Sequence, residues 1–347
     1  MKRIYVLHEY GAPSHFYGLE YLANKNGYEI KHREIHNLRY VKKLLLSGNT
    51  KIFINISFLL SLIFRSKIKV VLGIAPYNIR LVILMWLLKR HDVYYFTSYT
   101  CWDQTVCVHN LNGNKWLLDK WQIFTNSYVK HIFAVSDKTK RELVANNFSL
   151  AANITVVNHS YKHEITPNKR IKTLDFIYVG RLVPEKGIIE LLDVFKKHKN
   201  WNITIIGNGA LSLMVDEISK NHDNISYLGY VHSFEVLVDH YKNHSFVILN
   251  SQHIAGSHWE ELFGLTLIEG MACGCVPIAT DHPGPKEIII NNVNGFTYKH
   301  IDLEPTLCNI ESLNDFEYQI IRKNAVKSSQ QYHCKEIAKR WSEVFHV

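Results

Sequence analysis

Two glutamates eight residues apart, Glu261 and Glu269, lie in the run Trp259-Glu260-Glu261-Leu262-Phe263-Gly264-Leu265-Thr266-Leu267-Ile268-Glu269-Gly270-Met271-Ala272-Cys273-Gly274. Leu265, Ile268, Met271 and Ala272 recur at spacings of three and four, which predicts a helix beginning near Gly264 and stopping at Gly274. Glu261 then stands just before a helix N-terminus. The free amides there, those of Phe263, Gly264 and Leu265, act with the helix dipole and can hold a phosphate or a sugar hydroxyl. Glu269, one to two turns in, can accept hydrogen bonds from a diol such as a ribose. An acidic residue at a helix start is more often a cap than a ligand, so the pair alone decides little. A second segment adds weight: Val179-Gly180-Arg181-Leu182-Val183-Pro184-Glu185-Lys186-Gly187 ends a strand and leads into a helix, where doubly wound sheets bind ligands. Arg181 as a fork and Lys186 as a point charge can hold a diphosphate. The plainer alternative is a surface arginine and a lysine paired with Glu185.

The elements that must position these residues follow a βαβ rhythm. Short β-branched or aromatic runs at Ile4–Leu7, Lys69–Gly73, Val93–Phe96, Ile132–Val135 and Ile154–Val157 are separated by helix-length segments. After a polar stretch from Tyr161 to Lys172 the rhythm restarts at Asp175–Val179, and it continues through Asn202–Ile206, Ile225–Leu228, Phe246–Leu249 and Cys275–Ala279. With 347 residues, 47% hydrophobic and 20% charged, the chain has material for two packed cores rather than one. The expectation is two Rossmann-like domains, residues 1–167 and 168–330, followed by a terminal segment 331–347 with Ile337, Trp341 and Phe345 at helical spacing.

Bulk charge and cysteine usage exclude other classes. Six cysteines without a Cys-x-x-Cys pair argue against a zinc site or a disulfide framework. The longest apolar runs, Ile52 to Phe64 and Ile79 to Leu88, are too short to span a bilayer, and Ile4 to Leu7 is too short for a signal peptide; a cytoplasmic location is expected. The net charge of +9 is uneven, with 22 Lys plus Arg against 10 Asp plus Glu up to Pro167, and 18 against 21 beyond it. A basic first half favours an anionic partner, a phosphate-bearing molecule or the anionic inner face of the plasma membrane, on which the protein would be peripheral. The stretch Arg39 to Lys69, with Lys42, Lys43, Lys51, Arg65 and Lys67 around Leu59, Leu60, Leu62, Ile63 and Phe64, reads either as a basic amphipathic surface or as a buried helix with solvated ends. No nucleic-acid partner is expected.

The motif segments resemble the conserved elements of glycosyltransferase family 4, the retaining GT-B glycosyltransferases (glycosyl transferases group 1). Gly180-Arg181 with Lys186-Gly187 is similar to the family's Gly-Arg-x-x-x-x-Lys-Gly turn, and Glu261 with Glu269, followed by Met271-Ala272-Cys273-Gly274, to its Glu-x7-Glu and Met-Ala-x-Gly. Ile206-Gly207-Asn208-Gly209 looks like its glycine turn, Leu228-Gly229-Tyr230-Val231 like the segment bordering the base, and Ala279 to Glu287 like its post-strand loop. Asn294-Gly295-Phe296 looks like its closing turn. The strong resemblance runs from about Ile177 to Phe296. It implies a GT-B fold: two Rossmann-like doubly wound α/β domains facing a central cleft, the C-terminal helix returning to the N-terminal domain. It also implies transfer of a hexose-type sugar, with retention, from a UDP- or GDP-linked donor to a hydroxyl of a growing glycan in bacterial surface polysaccharide or lipopolysaccharide assembly. Arg181, Lys186 and Glu261 would be catalytic, the first two neutralising the leaving diphosphate; Gly11, Gly209, Tyr230, Val231, Phe263, Gly264, Leu265 and Glu269 would bind the donor. No Asp-x-Asp occurs in the chain, so no metal or other cofactor is expected.

The first half matches the family less well. Gly11 stands nearly alone where family members carry a glycine pair, and the histidine expected after the third or fourth strand is missing from Thr97 to Asp103. His15, Tyr99 and Asp103 are acceptor-contact candidates, the acceptor being a glycan or a lipid-linked glycan. A nicotinamide oxidoreductase is rejected, because Gly207-Asn208-Gly209-Ala210-Leu211-Ser212 lacks the third glycine of that fingerprint. A sugar-nucleotide epimerase on the same fold and an inactive partner subunit are the alternatives; the intact Arg181, Lys186, Glu261 and Glu269 argue against the second.

Overall fold

The computed structural model describes residues 2–9, 13–35, 51–99, 102, 114–168, 170–253 and 259–345. Gly11, Arg39, Lys42, Lys43 and Asp103, singled out above, lie outside the described residues. The chain divides into two units, Met1–Ser160 with Cys334–Val347, and Tyr161–His333.

The first unit runs β1 (Lys2–His8), α1 (Tyr17–Lys25), β2 (Tyr28–Glu34), α2 (Lys51–Phe64), β3 (Lys69–Gly73), α3 (Leu81–Leu88), β4 (Asp92–Thr97), α4 (Lys115–Ile123), β5 (Val129–Ala134), α5 (Asp137–Ala145) and β6 (Ile154–Val156). Its sheet is parallel, in the order β2-β1-β3-β4-β5-β6. Strands β1, β3 and β4 carry buried runs of mostly apolar residues, Ile4–Leu7, Val70–Leu72 and Val93–Phe96, because helices cover both faces. β2 is absent from the sequence reading for a physical reason. It is an edge strand, Tyr-Glu-Ile-Lys-His-Arg-Glu, in which every side chain is half-buried, so neither alternation nor an apolar run marks it.

The second unit runs β7 (Asp175–Val179), α6 (Ile188–Lys197), β8 (Asn202–Ile206), α7 (Ser212–Lys220), β9 (Ile225–Tyr227), α8 (Phe234–Lys242), β10 (Phe246–Leu249), α9 (Leu265–Cys273), β11 (Val276–Thr280), α10 (Pro283–Ile288), β12 (Phe296–Tyr298), α11 (Leu303–Ser312) and α12 (Asp315–Ser329). Its order is β12-β11-β10-β7-β8-β9, so direction reverses between β7 and β10. Phe296, read as part of a closing turn, instead opens the three-residue strand β12. Helix α9 has the bounds its periodicity implies, with Gly264 and Gly274 both left-handed at its two ends.

The chain returns to the first unit as α13 (Cys334–Ala338) and a 3-10 turn, Lys339–Val344, rather than one continuous helix. Trp341 is fully buried, its ring 4.4 Å from that of Phe133 and 5.7 Å from that of Phe96. Ile337 lies against Gly18 of α1, where a Cβ would meet its side chain. This segment fills the core between α1 and the sheet. Among the described residues no helix is long and apolar enough to cross a membrane.

Candidate active site

In an open parallel sheet, ligands bind outside the carboxyl ends of the strands where strand order reverses. In the second unit that place lies between the loops after β7 and β10. The loop after β7 leaves the strand through Gly180 and Arg181 and makes a 3-10 turn, Pro184–Lys186. It then enters α6 through Gly187 in the left-handed region, φ 60°. A Cβ at Gly187 would run into Asn250 of the loop after β10, so only glycine permits this approach. Asn250 Nδ2 donates to Gly187 O at 2.7 Å and Gln252 N donates to Glu185 O at 2.9 Å, tying the two loops together.

The other post-strand loops join the same row. Leu182 N donates to Asn208 O at 3.0 Å, and a Cβ at Gly207 would overlap Gly180 O. Gly207 N donates to Gly229 O at 2.8 Å, linking in the segment that carries Tyr230 and Val231. Gly209 N donates to Ser212 Oγ at 2.9 Å at the start of α7. Tyr298 of β12 donates to Asn250 Oδ1 at 2.6 Å.

At the centre of this row Lys186 Nζ is hydrogen-bonded and ion-paired to Glu261 Oε2, the two side chains each 12% exposed. This partner, 75 residues away, replaces the Glu185 pairing considered above. Ser251 Oγ donates to the same Oε2 at 2.7 Å, and the Lys186 ammonium lies 4.9 Å from the Trp259 ring centroid. The two opposite charges compensate each other in this enclosed place, and a third charge arriving there must repartition the pair. Arg181 is different. It is 64% exposed, its guanidinium 3.7 Å from Glu185, free to swing toward an incoming anion.

Phe263 and Gly264 are buried at the entry to α9 and Leu265 is its first residue. The first amides of the helix have no intrahelical partner, as at any helix N-terminus. Glu269 lies farther along α9, where Tyr241 donates to its Oε2 at 3.4 Å. Burial pushes its carboxyl up to about 7, against a small opposing effect of the Tyr241 bond.

The first unit has its own cavity, about 140 Å³, at the carboxyl ends of β1, β3 and β4. His15 and Tyr99, chosen separately from the sequence, both line it. The sequence reading missed three neighbours. Glu9 accepts from Ala75 N at 3.1 Å and from Asn78 Nδ2; His8 lines the wall; and the His159 ring lies 4.0 Å from that of His15. Burial holds His15 down to about 4 and His159 well below the usual imidazole range. Position after a strand, available for Glu9 after β1 and His159 after β6, was the signal that could have found them. Among the described residues no group of three or more His, Cys, Asp or Glu could hold a metal ion.

The family model of glycosyl transferases group 1 matches residues 136–313, just over half the chain. An uncharacterized glycosyltransferase of Methanocaldococcus jannaschii is 28% identical over 168 residues, 48% of this chain and 43% of that one. The capsular polysaccharide biosynthesis glycosyltransferase CapM of Staphylococcus aureus is 25% identical over 201 residues, 52% of this chain and 51% of its own length. The chain thus spans about half the length of these curated relatives. Among solved structures, HepE of Anabaena in complex with UDP and glucose is similar over 99% of both chains, with a TM-score of 0.71 at 14% identity. That likeness and the two parallel six-stranded sheets show the two-domain α/β GT-B fold.

Proposed function

This chain belongs to the glycosyl transferases group 1, and on that premise we propose that it is a retaining transferase moving a hexose-type sugar from a UDP- or GDP-linked donor to a hydroxyl of a growing glycan. The carrying observation is the enclosed Lys186–Glu261 pair at the point of the second sheet where strand order reverses. A donor diphosphate entering there takes Lys186 as its counter-ion, with Arg181 closing from the exposed side. Glu261 is released to accept from the donor sugar's hydroxyls, and the first amides of α9 bind its oxygens. The ribose diol binds Glu269, the base lies along Tyr230 and Val231, and Gly209 lets the backbone approach. Transfer breaks the bond between C1 and the diphosphate oxygen and forms one from C1 to the acceptor oxygen on the same face. A donor phosphate oxygen takes the acceptor's proton. Lys186, Arg181 and the helix dipole stabilise the departing charge, the work a metal would otherwise do.

The acceptor reading rests on the first unit. Its cavity joins the His15 imidazole, which burial keeps uncharged at neutral pH, with Tyr99 and Phe96, a surface suited to sugar rings and hydroxyls. From Ile35 to His91 the chain has no acidic residue. In that stretch Phe53, Leu60 and Phe64 of α2, and Ile83 and Trp86 of α3, are exposed, and the exposed Arg65, Lys67, Lys89 and Arg90 follow the two helices in sequence. This supports a peripheral place on an anionic inner membrane face and a lipid-linked glycan acceptor in surface polysaccharide or lipopolysaccharide assembly. A nucleotide-sugar screen tests the donor half: UDP-glucose or GDP-mannose should raise the unfolding temperature, and free nucleoside diphosphate should appear faster with acceptor than without. Release that an acceptor does not accelerate counts for an epimerase, and activity abolished by EDTA and restored by Mg²⁺ counts against the metal-free reading.

A further inference from the structure

His282 follows β11 and is completely buried. The Glu261 amide donates to its Nδ1 at 3.2 Å, which leaves the ring proton on Nε2, and Nε2 donates to Ser251 O at 3.1 Å. Thr280 Oγ1 donates to the same carbonyl at 2.7 Å, while Ser251 Oγ donates to the Glu261 carboxylate at 2.7 Å. The bonds close a circuit from the Glu261 backbone through the imidazole to Ser251 and back to the Glu261 side chain. Gly284 N, two residues beyond His282, donates to Glu261 O at 3.1 Å and fixes the peptide from its other side. The His253 ring stacks on that of His282 at 3.9 Å.

We infer that His282 is a positioning residue, whose neutral imidazole sets the backbone of Glu261 while Ser251 sets its carboxylate, so that the glutamate meets the donor sugar in one orientation. Burial, reinforced by His253, holds this imidazole down to about 4, which keeps Nδ1 free to accept at neutral pH. The inference rests on reading Glu261 as the donor-sugar ligand. A glutamate held only by its ion pair would follow Lys186 when the diphosphate draws that lysine away; one anchored through its own amide would not. Binding of the nucleotide and orientation of the sugar thus become separable.

The test compares His282→Gln, which keeps a donor toward Ser251 but leaves the Glu261 amide unpaired, with His282→Asn, whose Oδ1 can accept from that amide. Turnover is read as UDP release from UDP-glucose, and UDP affinity by calorimetry. His282→Gln is expected to lower kcat about tenfold with UDP affinity changed less than twofold, and His282→Asn to restore turnover to within about threefold of wild type. Wild-type turnover in His282→Gln, no rescue by His282→Asn, or equal losses of UDP affinity and turnover would each overturn the inference. Should the variants fail to fold, ring-nitrogen NMR of the wild-type protein at pH 7 decides: a neutral His282 protonated on Nε2 is expected, and the other tautomer or an imidazolium overturns it. A wild-type chain that releases no UDP or GDP from any donor while showing that tautomer would count against the transferase reading instead.

Discussion

The carboxyl ends of the two sheets are built alike and charged differently. In the second unit the post-strand loops converge on Lys186 and Glu261, opposite charges held in contact, with Arg181 exposed beside them. In the first unit the corresponding cavity is lined by His15, which burial holds down to about 4, with the His159 ring packed against it at 4.0 Å and Glu9 bonded to Ala75 and Asn78. The same βαβ scaffold thus presents an ion pair at one end and a cavity with an uncharged imidazole at the other, the contrast on which the donor and acceptor assignments proposed above rest. The difference lies in the loops, whose composition the sheet does not constrain.

The comparison breaks most sharply at Lys186. Replacing it with alanine removes the enclosed cation and leaves Glu261 without its ion-pair partner, and turnover should fall on the order of 10²-fold or more, whereas Arg181→Ala, at an exposed guanidinium, should cost closer to 10-fold. Steady-state release of UDP from UDP-glucose measures both. Near-normal rates in Lys186→Ala with the fold intact would remove the diphosphate assignment.

Glu269 tests the second unit through pH. Its folded pKa, about 7, lies above the unfolded value near 4.5, so the folded state holds more protons between those values and stability falls as pH rises through that window. Glu269→Gln should therefore be more stable than wild type at pH 8, by on the order of 3 kcal/mol, and indistinguishable from it near pH 4. Thermal unfolding across pH reads this, and weaker UDP binding by the same variant would sharpen the ribose assignment.

The first unit should respond with the opposite sign. The folded pKa of His15, about 4, lies below its unfolded value near 6.5, so stability is full above 6.5 and is lost as pH falls toward 4. His15→Gln should flatten that loss by roughly 3 kcal/mol at pH 4. An unchanged acid limb would show that the cavity opens to solvent.

The smallest effect concerns the basic rim. Lys67→Gln should weaken binding to phosphatidylglycerol-containing vesicles by about 1 kcal/mol at low salt, leaving UDP affinity unchanged. Phosphatidylcholine vesicles should not distinguish the variant from wild type, and equal binding to the anionic vesicles would detach this surface from the membrane.

Much of the architecture is written locally. Periodicity and two bounding glycines give α9 to the residue, and apolar runs mark the buried strands. The half-buried edge strand β2 and the short β12 carry no such pattern and emerge only from pairing with β1 and β11. The site divides in the same way. The sequence by itself determined that Arg181 and Lys186 occupy a strand-to-helix turn, Glu261 the approach to a helix and Glu269 the body of that helix, because turn chemistry and helical spacing act within a few residues. Tertiary structure decided that Lys186 takes Glu261 as its partner, and that His282, 21 residues beyond Glu261, holds that glutamate's backbone. Ion pairs and buried hydrogen bonds depend on which loops the sheet order brings together, and strand order is set by packing between residues far apart in the chain.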